Sequence, residues 1–171
     1  AVGDWSALYL FEDKGILIEE AVMGVMLFNG TMCIGRLLGN RLGKHLTSKQ
    51  VVVGGYLLGS IAMGLIVFLP GHASMYTYLL LGISLAMIVP NLFSAMGEQN
   101  VIPMTQAVAT STMLGYMGIL MGPALIGFIA HGTSLTVAFI VLTTLLVVSA
   151  GIGKYAYHLM SKDCGLSEEQ I

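Results

Sequence analysis

Charged side chains are scarce in this 171-residue chain, making up 9% of it, whereas hydrophobic residues make up 56%. A soluble domain carries about 25% charged residues, and a water-soluble fold with so few charges could not cover its surface. The chain is therefore predicted to be an integral membrane protein. Its net charge of −2 also gives no electrostatic case for nucleic acid as a partner.

Cysteines and catalytic motifs are equally scarce. Cys33 lies inside an apolar run and Cys164 in a polar tail, so a disulfide framework is not predicted. The motifs HExxH and GxSxG are both absent, and the four histidines do not have the spacing of a helical metal site. We therefore predict no enzyme activity, no metal site and no cofactor.

Long apolar runs fill most of the sequence, and a membrane-spanning helix needs about 20 such residues. Five runs reach that length, and a shorter one at the start resembles the last turns of a truncated span. Short connectors predict antiparallel neighbouring helices. The fold class is therefore all-α, a polytopic transmembrane helical bundle over residues 1–160 with a polar tail over 161–171. The predicted spans are 1–11, 16–38, 51–69, 75–96, 107–130 and 135–155.

Cations and glycines alternate in the run GRLLGNRLGK, residues 35–44, between two apolar spans. Such a run is typical of a cytoplasmic loop, and a tight charged turn could act as a conformational latch. Of the seven Lys and Arg, all but Lys14 lie on the side of this loop. The positive-inside rule therefore predicts a multi-pass protein of the cell (inner) membrane, with loop 39–50 and the C-terminus cytoplasmic. The predicted latch residues are Gly35, Arg36, Gly39, Asn40, Arg41, Gly43 and Lys44.

A few polar residues lie in or near the spans, where they are costly and therefore candidates for function. Asp4 and Trp5 could hold a coupling proton and a solute, or could anchor a helix at the membrane interface. Asn29 and Asn91 could line a cavity or join helices by hydrogen bonds. Tyr116 could offer its hydroxyl to a ligand or could simply pack.

Proline and glycine predict where the helices bend and pack. Pro90 removes a helix hydrogen bond and predicts a kink beside Asn91. Gly118, Gly122 and Pro123 share one glycine-rich span, which predicts a helix that can bend and pack closely. The same small-xxx-small spacing recurs at Gly35 with Gly39 and at Gly55 with Gly59.

Three segments together resemble the second half of a major facilitator superfamily transporter, and they are most similar to the fucose-permease-like branch of bacterial inner-membrane permeases. Residues 3–10, GDWSALYL, resemble the outer end of helix seven; residues 35–44 resemble the loop motif between helices eight and nine; residues 115–127 resemble helix eleven. The resemblance implies the end of helix seven plus helices eight to twelve. Asn40 stands where this motif usually has Asp, which weakens the implied latch.

The resemblance also implies a central solute cavity, alternating access and a missing N-terminal six-helix half as partner. It implies that the third and sixth segments face lipid. We therefore predict a secondary transporter in the lipid bilayer that moves a small polar solute, such as a sugar, with protons. Two alternatives stay open: a drug or metabolite exporter of the same fold, and a non-transporting scaffold subunit. Polar residues around the cavity would favour the sugar, whereas a Met-rich apolar cavity would favour the exporter.

Overall fold

The structure is a computed structural model that describes residues 2–42, 46–98 and 102–164, with side chains for all of these except 40–42, 98 and 162–164. These ranges hold helices and no strand, as expected of a chain in lipid, where a helix satisfies its own backbone polar groups. The helices are α1 Val2–Glu12, α2 Ile18–Leu42, α3 Ser48–Phe68, α4 Gly71–Ala86, α5 Ile88–Glu98, α6 Met104–Gly132 and α7 Leu135–Cys164.

Five segments of the described chain are long and apolar enough to cross a membrane, with α4 and α5 together forming one of them. The all-α transmembrane bundle predicted from the sequence is therefore confirmed. Several helix ends extend past the predicted spans: α2 continues to Leu42, α4 begins at Gly71, and α7 continues to Cys164 within the predicted polar tail. Hydropathy marks where a helix leaves lipid, whereas the backbone hydrogen bonds continue into the interface.

Helix α4 lies at the centre of the bundle, packed against α2 on one side and α3 on the other, while α3 also packs along α7. Its side chains Tyr78 and Leu81 are completely buried. The same core reaches α1 and α7, where the rings of Tyr9 and Phe139 stack with their centroids 4.2 Å apart. Five of the seven helices are thus held by one continuous apolar core.

Glycines bring α4 unusually close to its two neighbours. A Cβ atom added to Gly55 of α3 would lie 2.7 Å from the Ser84 carbonyl oxygen, and one added to Gly35 of α2 would lie 2.7 Å from the Ala86 Cβ. On α4 itself, a Cβ at Gly82 would collide with the Phe28 carbonyl. Membrane helices associate through such backbone approach, because lipid supplies no hydrophobic drive between them.

Polar contacts join the helix ends at the edge of the bundle where α1 meets α2. Lys14 donates from Nζ to the carbonyl oxygens of Val67 and Leu69, at 2.6 and 2.8 Å, and so caps the end of α3. Burial lowers the pKa of Lys14, against the opposing effect of the Asp13 charge. The Thr136 hydroxyl donates to Asp13 Oδ2 at 2.7 Å, which joins the same loop to α7.

The close approach of α4 to α2 at Gly82 predicts that a larger side chain there destabilises the protein. Gly82→Ala should lower the free energy of unfolding of the full-length protein by about 1–3 kcal/mol, because the new methyl group meets backbone atoms that cannot yield. The measurement is thermal unfolding in detergent. The matched control is Gly151→Ala on α7, where nothing lies within 4 Å of the added Cβ. Equal melting temperatures for the two variants would contradict the prediction.

Candidate functional site

The predicted span 75–96 is broken into two helices, α4 and α5, with Met87 between them. Pro90 cannot donate a backbone hydrogen bond to the residue four positions earlier, so the helix loses one bond just where the break occurs. Asn91 does not replace this bond, because its backbone N and its side-chain Nδ2 both donate to the Met87 carbonyl, at 3.2 and 2.8 Å, and not to Ala86. The bend predicted at Pro90 therefore lies one turn earlier, at Met87.

Beyond this break, α5 and α6 enclose a cleft of about 440 Å³. On α5 the lining residues recur with helical spacing, and on α6 they also share one face, so both helices turn a single side towards the cleft. Its walls are mainly apolar, with hydroxyl groups supplied by α6 alone. The lining residues are Val89, Leu92, Phe93 and Met96 of α5, and Ser111, Thr112, Gly115, Tyr116 and Ile119 of α6.

Tyr116 is the predicted site residue that lines this cleft. It is 64% exposed, and nothing lies within 4 Å of the Cβ position of Gly115 beside it, so the ring borders open space. Ser111 and Thr112 were not predicted. Their spacing from Gly115 and Tyr116, four residues in each case, is the signal in the sequence that places all of them on one helix face.

Helix α6 has little cover within the described chain. Its buried residues are Ala107 and Ile126, and every residue from Thr112 to Leu120 is exposed. A helix that is apolar all round requires lipid or protein on all sides. At the predicted packing face, nothing in the described part of the chain lies within 4 Å of a Cβ added to Gly118. Helix packing at this glycine therefore stays a prediction.

Trp5 joins α1 to α6 and also lines a separate cleft of about 390 Å³ between the end of α1 and the end of α6. Its Nε1 donates to the Pro123 carbonyl oxygen at 3.1 Å, and its ring lies 2.8 Å from where a Cβ of Gly127 would be. Pro123 therefore lies at a contact between two helices. Asp4 is exposed in the first turn of α1.

Asp4 and Tyr116 lie at different depths along the bundle. Trp5, the neighbour of Asp4, contacts α6 at Pro123, and Tyr116 lies seven residues earlier on that helix, which is about 10 Å at 1.5 Å per residue. Asp4 is also not among the residues that line the α5–α6 cleft. The structure therefore does not bring these two predicted site residues together.

Asn29 donates to a carbonyl of its own helix, and Asn91 donates to the carbonyl of the residue just before its helix. Asn29 Nδ2 donates to the Val25 carbonyl at 2.9 Å on an exposed face of α2, and Asn91 bonds Met87 as described above. Neither amide lines the α5–α6 cleft. A buried or lipid-facing amide without another partner takes the nearest carbonyl one turn back, which spacing in a sequence cannot reveal.

The basic run at 35–44 is helical over most of its length, because α2 continues to Leu42. The prediction of a turn from Gly39 onward is thus wrong for that part. Gly35 and Gly39 pack against α4, where a Cβ on Gly39 would collide with the Met87 side chain, and Arg36 is exposed. Gly43 and Lys44 lie outside the described residues, as do the side chains of Asn40 and Arg41. The conformational latch predicted at these residues therefore stays a prediction.

Comparison with known proteins identifies relatives among membrane transporters. The chain is 41% identical over 150 residues to an uncharacterized MFS-type transporter of Yersinia pestis. It is 28% identical over 155 residues to the membrane protein MosC of Rhizobium meliloti, and 27% identical over 142 residues to an uncharacterized transporter of Sinorhizobium fredii. No family model and no solved structure matches the chain.

These alignments cover most of this chain but a smaller share of the relatives. They take in 86%, 89% and 81% of the chain, which spans 38%, 38% and 37% of the length of the three relatives. A piece of that extent, with five spanning segments and one further short helix, has the size of one half of a twelve-helix transporter. Over most of its length the chain is thus similar to an MFS-type transporter, and its extent is the one expected of a C-terminal half of a major facilitator superfamily transporter.

Proposed function

We propose that this chain forms half of a secondary transporter of the cell membrane, which moves a small solute by alternating access and is driven by protons. The observation that supports this most is the α5–α6 cleft together with the exposed faces of α6. The chain spans 38% of its relative from Yersinia pestis, and an N-terminal six-helix half is the partner that would cover those faces.

The cleft also bears on the class of solute. The small polar solute expected from the sequence, such as a sugar, needs several hydrogen-bonding groups, and this cleft offers the hydroxyls of Ser111, Thr112 and Tyr116. The amides of Asn29 and Asn91 donate to backbone carbonyls, and Trp5 packs against α6. These contacts leave the three hydroxyls as the polar side-chain groups of the α5–α6 cleft.

A second candidate, the drug or metabolite exporter, gains support from the same lining. Val89, Leu92, Phe93, Met96 and Ile119 form an apolar wall, and Met is a side chain that adapts to varied ligands. A solute with an aromatic or aliphatic body and one or two hydrogen-bonding groups matches this wall better than a sugar does. A polar site on the N-terminal half would restore the first candidate.

A ligand panel on the full-length protein separates the two candidates. Sugars and amphipathic aromatic metabolites are tested for their ability to raise its melting temperature, and the affinity of any hit is then measured. Tyr116→Phe should weaken binding of the true solute about 5- to 30-fold, as expected for loss of about 1–2 kcal/mol from one hydrogen bond. The matched control is Tyr155→Phe on α7, since Tyr155 is also 64% exposed but lies outside the cleft.

Phe93→Ala adds a second distinction, because it removes apolar area and leaves every hydroxyl in place. It should weaken an amphipathic solute strongly and a sugar little. Unchanged affinity in both Tyr116→Phe and Phe93→Ala would show that the solute does not use this cleft.

Proton coupling is proposed for Asp4, which lies in the first turn of the apolar helix α1. It is eight residues before Glu12, the end of α1, or about 12 Å at 1.5 Å per residue, a depth at which a charged carboxylate is costly. Asp4→Asn should abolish uphill accumulation and preserve downhill exchange. The control Glu19→Gln neutralises an exposed carboxylate at the start of α2 and should change neither. Uphill accumulation of the solute by the Asp4→Asn variant, normalised to the amount of protein in the membrane, would contradict the proposal.

The proposed orientation places the end of the bundle with Lys49 and Lys154 in the cytoplasm, and the end with His72 outside. Cysteines are introduced singly at Leu46, which is 49% exposed, and at His72, whose side chain is 64% exposed. The background lacks the natural cysteines. In intact cells a membrane-impermeant thiol reagent should label the His72→Cys protein and spare the Leu46→Cys protein until the membrane is opened. Labelling of the Leu46→Cys protein but not of the His72→Cys protein in intact cells would show the opposite orientation.

A further inference from the structure

The row of side chains that α6 turns towards the α5–α6 cleft has a gap at its middle. Ser111, Gly115 and Ile119 line the cleft and are four residues apart, so they lie one above another on one face of the helix. Ser111 and Ile119 are separated by about 12 Å along the helix axis, at 1.5 Å per residue. Between them, nothing in the described chain lies within 4 Å of a Cβ added to Gly115. This gap is called the Gly115 notch.

We propose that the Gly115 notch receives a planar aromatic ring of the solute, and that Gly115 thereby limits the size of the ring system that the cleft accepts. This role rests on the proposed function, because it requires the α5–α6 cleft to be the solute site. It assigns a chemical class to the solute, an aromatic compound with a hydrogen-bonding substituent, and it makes Gly115 the residue that selects it.

Aromatic side chains on both walls favour a ring over an alkyl chain. Phe93 borders the cleft from α5 and Tyr116 borders it from α6. The charge distribution of such rings favours offset-stacked or edge-to-face contact with a further ring. A solute ring that lies against a glycine also meets backbone rather than a side chain, so its flat face can come close to α6. An alkyl chain would gain from the apolar wall but would use neither feature.

The two ends of the notch differ in polarity, which fixes how the ring would lie. On the side nearer the start of α6, Ser111 and Thr112 supply hydroxyl groups, whereas Ile119 on the other side supplies apolar surface. A hydroxyl can both donate and accept a hydrogen bond. A ring in the notch can therefore bond Ser111 or Thr112 through one polar substituent and place its unsubstituted edge towards Ile119.

The volume of the cleft makes residue 115 a sensitive position. Clefts that bind small molecules measure about 300–1,000 Å³, and this one, at about 440 Å³, lies near the lower end of that range. A side chain added at Gly115 would point into space that has no other occupant within the described chain. It would therefore reduce the room for the solute without first displacing a neighbouring residue.

The test measures ring-size preference in the full-length protein with phenol and naphthol, which carry one ring and two fused rings with one hydroxyl each. Dissociation constants are obtained by scintillation proximity with tritiated probes, and protein-free detergent is the blank. The wild type should bind naphthol more tightly than phenol. Gly115→Leu should weaken naphthol binding about 10-fold or more and phenol binding less than about 3-fold, because overpacking affects the larger ring first.

Two further variants complete the series. Gly115→Ala adds one carbon atom, so it should shift the preference in the same direction by less, and it covers the case in which Gly115→Leu does not fold. The matched control is Gly118→Leu on the same helix. Nothing in the described chain lies within 4 Å of its added Cβ either, but Gly118 is outside the lining of the cleft. This control should leave the ratio of the two dissociation constants unchanged.

The competing use of Gly115 is close packing against a helix of the N-terminal half. In that case Gly115→Ala would lower the melting temperature and leave the naphthol-to-phenol ratio unchanged, which overturns the proposal. Equal weakening of both probes by Gly115→Leu, or the same shift in Gly118→Leu, also overturns it.

Failure of this inference and failure of the proposed function give different results. If the wild type binds neither probe but binds another solute that Tyr116→Phe weakens, the cleft remains the solute site and the assignment of an aromatic ring to the notch is wrong. If Tyr116→Phe and Phe93→Ala leave every measured affinity unchanged, the cleft itself is not the solute site, and both proposals fail.

Discussion

The backbone-to-backbone approach of α4 to α2 and α3 is the contact on which the rest of this bundle depends. In water, burial of apolar side chains would hold these helices together, but lipid surrounds them with equally apolar material. Dispersion contacts at short range must then supply the attraction, and they weaken steeply as atoms separate. Gly35, Gly55 and Gly82 are the positions where α4 comes within that range. A side chain at any of them would move a neighbouring helix rather than fill a gap.

The position of this contact determines which part of the chain can move. It ends at Ala86, where α4 itself ends, and the break at Met87 follows at once. Beyond the break, α5 is still held on one side by α3, since Ile88 and Ala95 share a buried cluster with Val52 and Tyr157. The other side of α5 meets α6, a helix with little cover of its own within the described chain. A solute cleft that changes shape requires one wall that can move against a fixed one, and α6 is the less covered of these two walls.

The sequence was informative where one physical term dominates. Apolar runs of membrane length predicted the spans because the cost of exposing polar groups to lipid exceeds every local preference. It was less informative at the helix ends, since helix hydrogen bonds persist into the polar interface, as in α2 through Leu42. It left the roles of Asn29 and Asn91 open for a related reason. An amide in a membrane helix can bond a neighbouring helix, a solute or its own backbone, and only the distances decide, here in favour of Val25 and Met87.

Charges at the end of the bundle near α1 are satisfied within the chain, because a polar group without a partner beside lipid is costly. Lys14 caps α3, Asp13 accepts from Thr136, and Glu20 lies 2.9 Å from His72. These contacts join the α1–α2 loop to α3 and α7, and α2 to α4, so they brace this end of the bundle.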